Sequence, residues 1–369
     1  MSEFIGSNLR LIRLFHDLSL TELGERVGVS KQFLSRVETG AESVSRQLED
    51  SLANELRVLP EFFYHVDPNP ISDEQCHFRR QLTTKVALRQ VARSRGEMLK
   101  RLVGVLDEHV ELPAYKVGEA DPRSAETIER AAEKFRTLFG VGMGPLSSVT
   151  RIAENAGAVV IKVHGLAPEI DAISFATKRP LIALNSAGRS ACRERFGVAH
   201  EMGHFSLHIG VLTGDRLTET QANRFASAFL MPRSTFATEC KLAIRGTRLN
   251  WSGLSELKLR WGVSKAAIIF RGRELGVFSD DQARAGYVGL NRHGEAIQET
   301  EDHLVPNEEP EVLNESLKVM REHFGVPQPA VAREMRVQPS LLQTMLMTSN
   351  SDSADNVVSL TANNQERNT

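Results

Sequence analysis

The sequence predicts an α+β chain that is mostly helical, with a small three-stranded sheet set among its helices. Three observations carry that expectation. Apolar residues recur at helical spacing over most of the length, as at Leu9, Ile12, Leu14 and Phe15. One short region instead groups β-branched and apolar residues into strand-length runs, at 158–163, 173–176 and 181–184. Proline and glycine breaks divide the helical stretches into separate units.

The units follow in order. Residues 1–67 read as short helices and end at Asp67-Pro68-Asn69-Pro70, where proline cannot continue a helix. Residues 68–118 read as a basic helical connector, closed by Leu112-Pro113. Residues 119–285 hold a helix near 125–139, another near 146–155, the three strands, and helices near 190–208, 219–230, 252–260 and 264–275. Residues 286–348 read as helical, with one helix near 310–323 and two short ones after it. The Ser-, Asn- and Asp-rich stretch 349–369 reads as a disordered tail.

Composition narrows the function classes. The 369 residues are 41% apolar with a formal net charge of −2, so any attraction to nucleic acid must be local. Cys76, Cys192 and Cys240 are odd in number and widely spaced, which argues against a disulfide framework and fits a reducing cytoplasm. Met1-Ser2-Glu3-Phe4 lacks a signal-peptide pattern, and no run of about 18 apolar residues exists to span a membrane. The expectation is a cytoplasmic protein with no membrane partner.

The chemistry concentrates at Arg195 to His204, which contains H-E-x-x-H within a helical pattern. Residues four apart lie on one helix face, so His200 and His204 can reach one zinc ion while Glu201 acts as general base. A catalytic zinc takes three protein ligands and leaves a position for water. Glu219 is the best third ligand, with Glu194 and Asp215 as weaker alternatives. Asn223, one turn beyond Glu219, can hydrogen-bond a ligand histidine. His208 lies two turns from His200, too far for a common ligand set on a straight helix, and is expected to pack or titrate.

These residues carry a family resemblance. Arg195 to His208 reads R-F-x-x-A-H-E-x-G-H-x-x-L-H, and Glu219 to Pro232 reads E-x-x-A-N-x-F-A-x-x-x-L-M-P. Together they resemble the ImmA/IrrE metallopeptidase-like family over roughly 121–285. The resemblance implies a gluzincin-like domain with zinc on His200, His204 and Glu219, and Glu201 as the catalytic residue. Members cleave repressor proteins, or act as regulators or antitoxins joined to a DNA-binding domain. Met202 stands where the family usually has Leu.

A second pattern precedes it. In Ser19 to Gly40, Leu23 and Val27 are apolar, Gly24 permits close helix approach, Gly28 makes a turn and Ser30 can cap the next helix. Lys31, Gln32, Ser35 and Arg36 then suit the exposed side of a recognition helix, with Arg36 serving either a base or a phosphate. Residues 5–66 resemble the Cro/C1-type (Xre family) helix–turn–helix. Leu20 stands where that family often has a phosphate-contacting glutamine. The unit is also acidic: residues 1–67 hold 7 Lys/Arg against 11 Asp/Glu. The connector contrasts with it, since residues 77–101 carry eight Lys/Arg against Glu97 alone, a net of +7. Those basic groups would supply phosphate contacts that the first unit lacks, or else form a solvated helical face or a pairing surface for acidic patches.

Two later stretches repeat the helix–turn–helix rhythm. Leu254 to Phe270 is apolar enough to be structural, and Val331 to Gln343 lacks basic residues and suits protein binding. The expected function is a DNA-binding transcriptional regulator whose zinc metallopeptidase domain cleaves or senses a repressor or partner protein and which autoregulates its operon. The alternative is a non-proteolytic antitoxin that represses its operon and neutralises a toxin by docking. The expected partners are a double-stranded DNA operator and a protein substrate or toxin encoded nearby, with a homodimer if the operator is palindromic.

Overall fold

A computed structural model describes residues 3–78, 86–163, 171–185 and 188–347. The 349–369 tail, and Arg79, Arg80 and Lys85 of the basic connector, lie outside the described residues.

The N-terminal unit is four helices: α1 (Gly6–Phe15), α2 (Leu20–Val27), α3 (Lys31–Glu38) and α4 (Arg46–Glu55), followed by a 3-10 turn over Pro60–Tyr64. Ser19 and Glu22 form a capping box at the start of α2. Gly28, with φ of 75°, ends α2, and the Ser30 side chain accepts from Phe33 N–H to open α3. A Cβ on Gly24 would lie 2.5 Å from the Val29 carbonyl oxygen, so only glycine permits this turn.

The connector is not wholly helical. Cys76–Phe78 forms strand β1, and α5 (Val86–His109) follows. Three residues carry no usable periodicity, and β1 exists because β3 offers it an open edge. The central region holds α6 (Ala125–Leu138), α7 (Val149–Asn155), β2 (Val159–Val163), β3 (Ala172–Phe175), β4 (Leu181–Asn185), α8 (Ala191–Leu207), α9 (Arg216–Leu230) and α10 (Arg233–Glu239). The sheet has four strands rather than three, in the order β1-β3-β4-β2, with β2 parallel to β4 and the other pairs antiparallel.

Both sheet faces are buried, which is why its strands read as continuous apolar runs. Val159, Ile161, Ile173 and Phe175 face the core shared by the N-terminal helices, α5 and the C-terminal helices. Val160, Ala172, Ile182 and Leu184 face the core built around α8 and α9. The alternation follows from the two-residue repeat of a strand.

A small hairpin of β5 (Ile244–Arg245) and β6 (Arg248–Leu249) leads to α11 (Trp251–Trp261), α12 (Lys265–Glu274) and α13 (Asp280–Arg292). The boundary expected at 285/286 falls inside α13. α11 and α12 do repeat the helix–turn–helix rhythm, but Ile268, Ile269 and Arg271 of α12 are buried, so the pair is structural. The chain then runs through α14 (Val312–His323), α15 (Gln328–Glu334) and α16 (Pro339–Met347). The intervening segment is tied back by charge: Glu299 bonds Lys258, Glu295 and Glu301 pair with Lys265, and Glu308 pairs with Arg195. Among the described residues no helix is long and apolar enough to cross a membrane.

Candidate metal centre

The helix α8 is buried from Val198 to Leu207, with Val198, Ala199, Met202, Phe205 and Leu207 packed into the surrounding core and the polar His200, Glu201 and His204 buried among them. Its neighbour α9 approaches closely because Gly203 has no side chain: a Cβ there would lie 3.2 Å from both the Ala222 carbonyl oxygen and the Phe225 Cβ. Asp215 opens α9, accepting from the N–H groups of Leu217 and Thr218, and this sets Glu219 in the first turn.

The result is a convergent cluster. One ligand atom each from His200, His204 and Glu219 lies within 4.8 Å of the others. His204 Nε2 is 3.1 Å from His200 Nε2, and the two Glu219 oxygens sit 3.5 Å from His200 Nε2 and 3.4 Å from His204 Nε2. Both Glu219 carboxylate oxygens are buried without a hydrogen-bond partner. Two inward ring nitrogens and a carboxylate whose oxygens have no hydrogen-bond partner fit a divalent cation such as zinc.

The outward atoms are held. His200 Nδ1 is 3.0 Å from Asn223 Oδ1. His204 Nδ1 is 3.0 Å from His208 Nδ1, and His208 Nε2 is 2.9 Å from Gln221 Oε1. With Nε2 of both His200 and His204 turned to a bound cation, the consistent tautomers would donate from Nδ1: His200 to Asn223, and His204 to His208, which would donate in turn to Gln221. His208 therefore lies behind His204, outside the ligand group. Glu194 lies 3.6 Å from Lys162, and Asp215 is spent on its cap, so neither joins the cluster.

Glu201 is buried beside the ligands, and the Ser174 hydroxyl donates to its Oε2. Burial pushes its pKa up to about 7 against the opposing pull of His200. Burial likewise lowers His204, to about 4, so it stands neutral. Burial would raise Glu219, but the two imidazoles outweigh it and hold this carboxyl well below the usual range. Burial would lower His200, yet Glu219 and Glu201 outweigh it and its pKa is raised.

Two site residues escape the sequence reading. Ser174 is a lone hydroxyl in the apolar strand Ile173-Ser174-Phe175, and that contrast is its only signal. His77 lies directly opposite Ser174 on β1, is fully buried, and stacks on His204 with ring centroids 5.0 Å apart and planes 6° from parallel. Its Nδ1 is 2.8 Å from Thr213 Oγ1 while its Nε2 has no partner.

In the N-terminal unit, Lys31, Gln32, Ser35 and Arg36 are all exposed on α3, and Arg36 lies 3.4 Å from Glu42. Two connector cations face inward rather than outward. Lys100 pairs with Asp67 and Glu97, and Arg101 lies 4.5 Å over the Phe62 ring and donates to Asn8 Oδ1. Of the two, Lys100 pairs with acidic groups, while Arg101 is held against the N-terminal unit by a ring and an amide oxygen.

The chain is 34% identical over 101 residues to the antitoxin PezA of Streptococcus pneumoniae serotype 4 (strain ATCC BAA-334 / TIGR4). That match covers 27% of this chain and 58% of the antitoxin's length. Residues 153–272, which contain the whole of the His200, His204 and Glu219 cluster, match the IrrE N-terminal-like domain family (Peptidase_M78), a metallopeptidase-like family that is usually zinc-dependent.

Proposed function

We propose that this protein is a DNA-binding regulator whose metal domain hydrolyses a peptide bond in a partner protein, with zinc on His200, His204 and Glu219. The observation that carries the reading is Glu201. A buried carboxylate within one residue of a ligand, held by Ser174 and raised to about 7, is suited to take and return a proton at neutral pH. A merely structural metal site has no need of such a group. Zinc at this site supplies Lewis acidity and lowers the pKa of water toward neutrality. Glu201 accepts the proton from the attacking water and delivers it to the leaving amine. Asn223 and His208 orient the two imidazoles. The DNA-reading part of the proposal assigns Lys31, Gln32, Ser35 and Arg36 to the operator, and their common exposure on α3 supports it.

The likeness to a protein named as an antitoxin supports a second reading, in which the chain represses its operon and docks onto a toxin without cutting it. One comparison separates them. The purified protein, assayed for zinc, is incubated with the product of the neighbouring gene as wild type and as Glu201→Gln. The proposal expects stoichiometric zinc in both, cleavage by the wild type, and a loss of at least about a hundredfold in the variant. Equal behaviour of the two, in cleavage and in relief of repression, rejects catalysis as the function.

A further inference from the structure

The rhythm noted over Val331 to Gln343 has its counterpart in residues 52–63, not in the α2–α3 turn. Ala53, Glu55, Arg57, Val58 and Pro60 recur, at identical spacing, as Ala332, Glu334, Arg336, Val337 and Pro339. The two copies also fold alike. Each ends a helix on an arginine with positive φ, 54° at Arg57 and 60° at Arg336. Val58 N–H donates to the Ala53 carbonyl at 2.9 Å, and Val337 N–H to that of Ala332 at 2.9 Å. Phe62 N–H donates to Leu59 and Leu341 N–H to Gln338, both at 2.9 Å.

The copies then pair with each other. Val58 faces Val337 in an antiparallel bridge. Leu59 N–H donates to the Arg336 carbonyl and Gln338 N–H donates to the Arg57 carbonyl, each at 2.9 Å. Exchanging the copies leaves this bonding pattern unchanged. That is the defining property of an isologous contact, the kind two identical chains make about a two-fold axis.

We propose that residues 52–63 are a self-association motif, and that residues 331–342 occupy within one chain the place a second chain's residues 52–63 would take. The bonds across the bridge are main-chain bonds, so they do not distinguish Arg57-Val58-Leu59 of another molecule from Arg336-Val337-Gln338. A valine faces a valine in either case. The tethered copy prevails because it is present at the high effective concentration of an intramolecular partner. Release of the C-terminal copy frees the face, and the occupant is a second copy of this chain. If α3 reads DNA, that exchange brings two reading helices into one particle.

The test uses the full chain and does not depend on peptidase activity. Val58 and Val337 form a non-hydrogen-bonded pair, for which Cα atoms lie about 4.5 Å apart, within disulfide reach. Val337→Asp places a carboxylate at a position 1% exposed and expels the C-terminal copy. Combined with Val58→Cys, it is expected to give a disulfide-linked dimer on a non-reducing gel, with yield raised roughly tenfold or more over Val58→Cys alone, as freeing a site blocked nine-tenths of the time requires. Val58→Cys with Val337→Cys is expected to close within one chain and stay monomeric. Gln338→Pro removes only the donor to Arg57, and serves as a milder second way to unseat the copy. Unchanged dimer yield from both unseating variants overturns the proposal, as does a covalent dimer formed equally well with the C-terminal copy in place.

Discussion

Two histidines four apart on a helix do not form a ligand pair until something fixes their ring rotation. Here Asn223 and the His208–Gln221 relay do so, from the ring atoms that point away from Glu219. Asn223→Ala should lower zinc affinity by about 10–100-fold, read by competition with a chromophoric chelator. An unchanged affinity would mean that packing alone orients His200. This part of the site was legible in the sequence, because His200, Glu201, His204, Glu219 and Asn223 lie on two helices where spacing translates directly into direction. Ser174 and His77 were not legible. They reach the site through strand pairing between residues about a hundred apart, and nothing in the local sequence of Cys76-His77-Phe78 announces that register.

At the scale of elements, the site depends on how closely α5 lies on the sheet. A Cβ on Gly96 would sit 2.4 Å from two ring atoms of Phe175, which is 1% exposed and has nowhere to go. Phe175 follows Ser174, so displacement of β3 disturbs the contact to Glu201. Gly96→Ala gains about 1 kcal/mol in helix propensity, but overpacking costs about 1–3 kcal/mol. The expected net is a modest destabilisation in chemical denaturation, with a larger proportional loss of activity. A net gain in stability would show that the ring yields freely.

Glu154 accepts from the N–H groups of Glu311 and Val312 and so docks the start of α14. Burial pushes its pKa from 4.5 to about 7 despite those bonds. The folded value lies above the unfolded one, so its stabilising contribution is complete below about 4.5 and is lost as pH rises through about 7. Glu154→Gln should remove that dependence and raise stability at pH 8 by on the order of 2 kcal/mol, measured by urea titration at pH 5 and pH 8. An equal effect at both values would trace the change to packing instead. Most helices were legible because their caps and periods agree. The division at 285/286 was not, because α13 continues through it and the segment after it is tied to α8, α11 and α12 by ion pairs that no local pattern encodes.

For the whole molecule, the sheet couples the regions: one face closes the core of the N- and C-terminal helices, and the other closes the core of α8 and α9. Without a cation, the folded protein keeps two Glu219 oxygens buried and unpartnered beside two imidazoles. A cation that binds only the folded state stabilises it further by mass action. At a zinc concentration about a thousand times the dissociation constant, the gain is about 4 kcal/mol, or roughly 5 °C in the unfolding midpoint of a molecule this large that unfolds as one unit. Chelation should therefore lower the midpoint by about that amount, and because both cores share the sheet, the calorimetric peak should move as a unit. Glu219→Gln removes the charged ligand and should make the midpoint insensitive to zinc. A midpoint that ignores chelation in the wild type would place metal binding outside the folded state's stability, and a variant still shifted by zinc would move the third ligand away from Glu219.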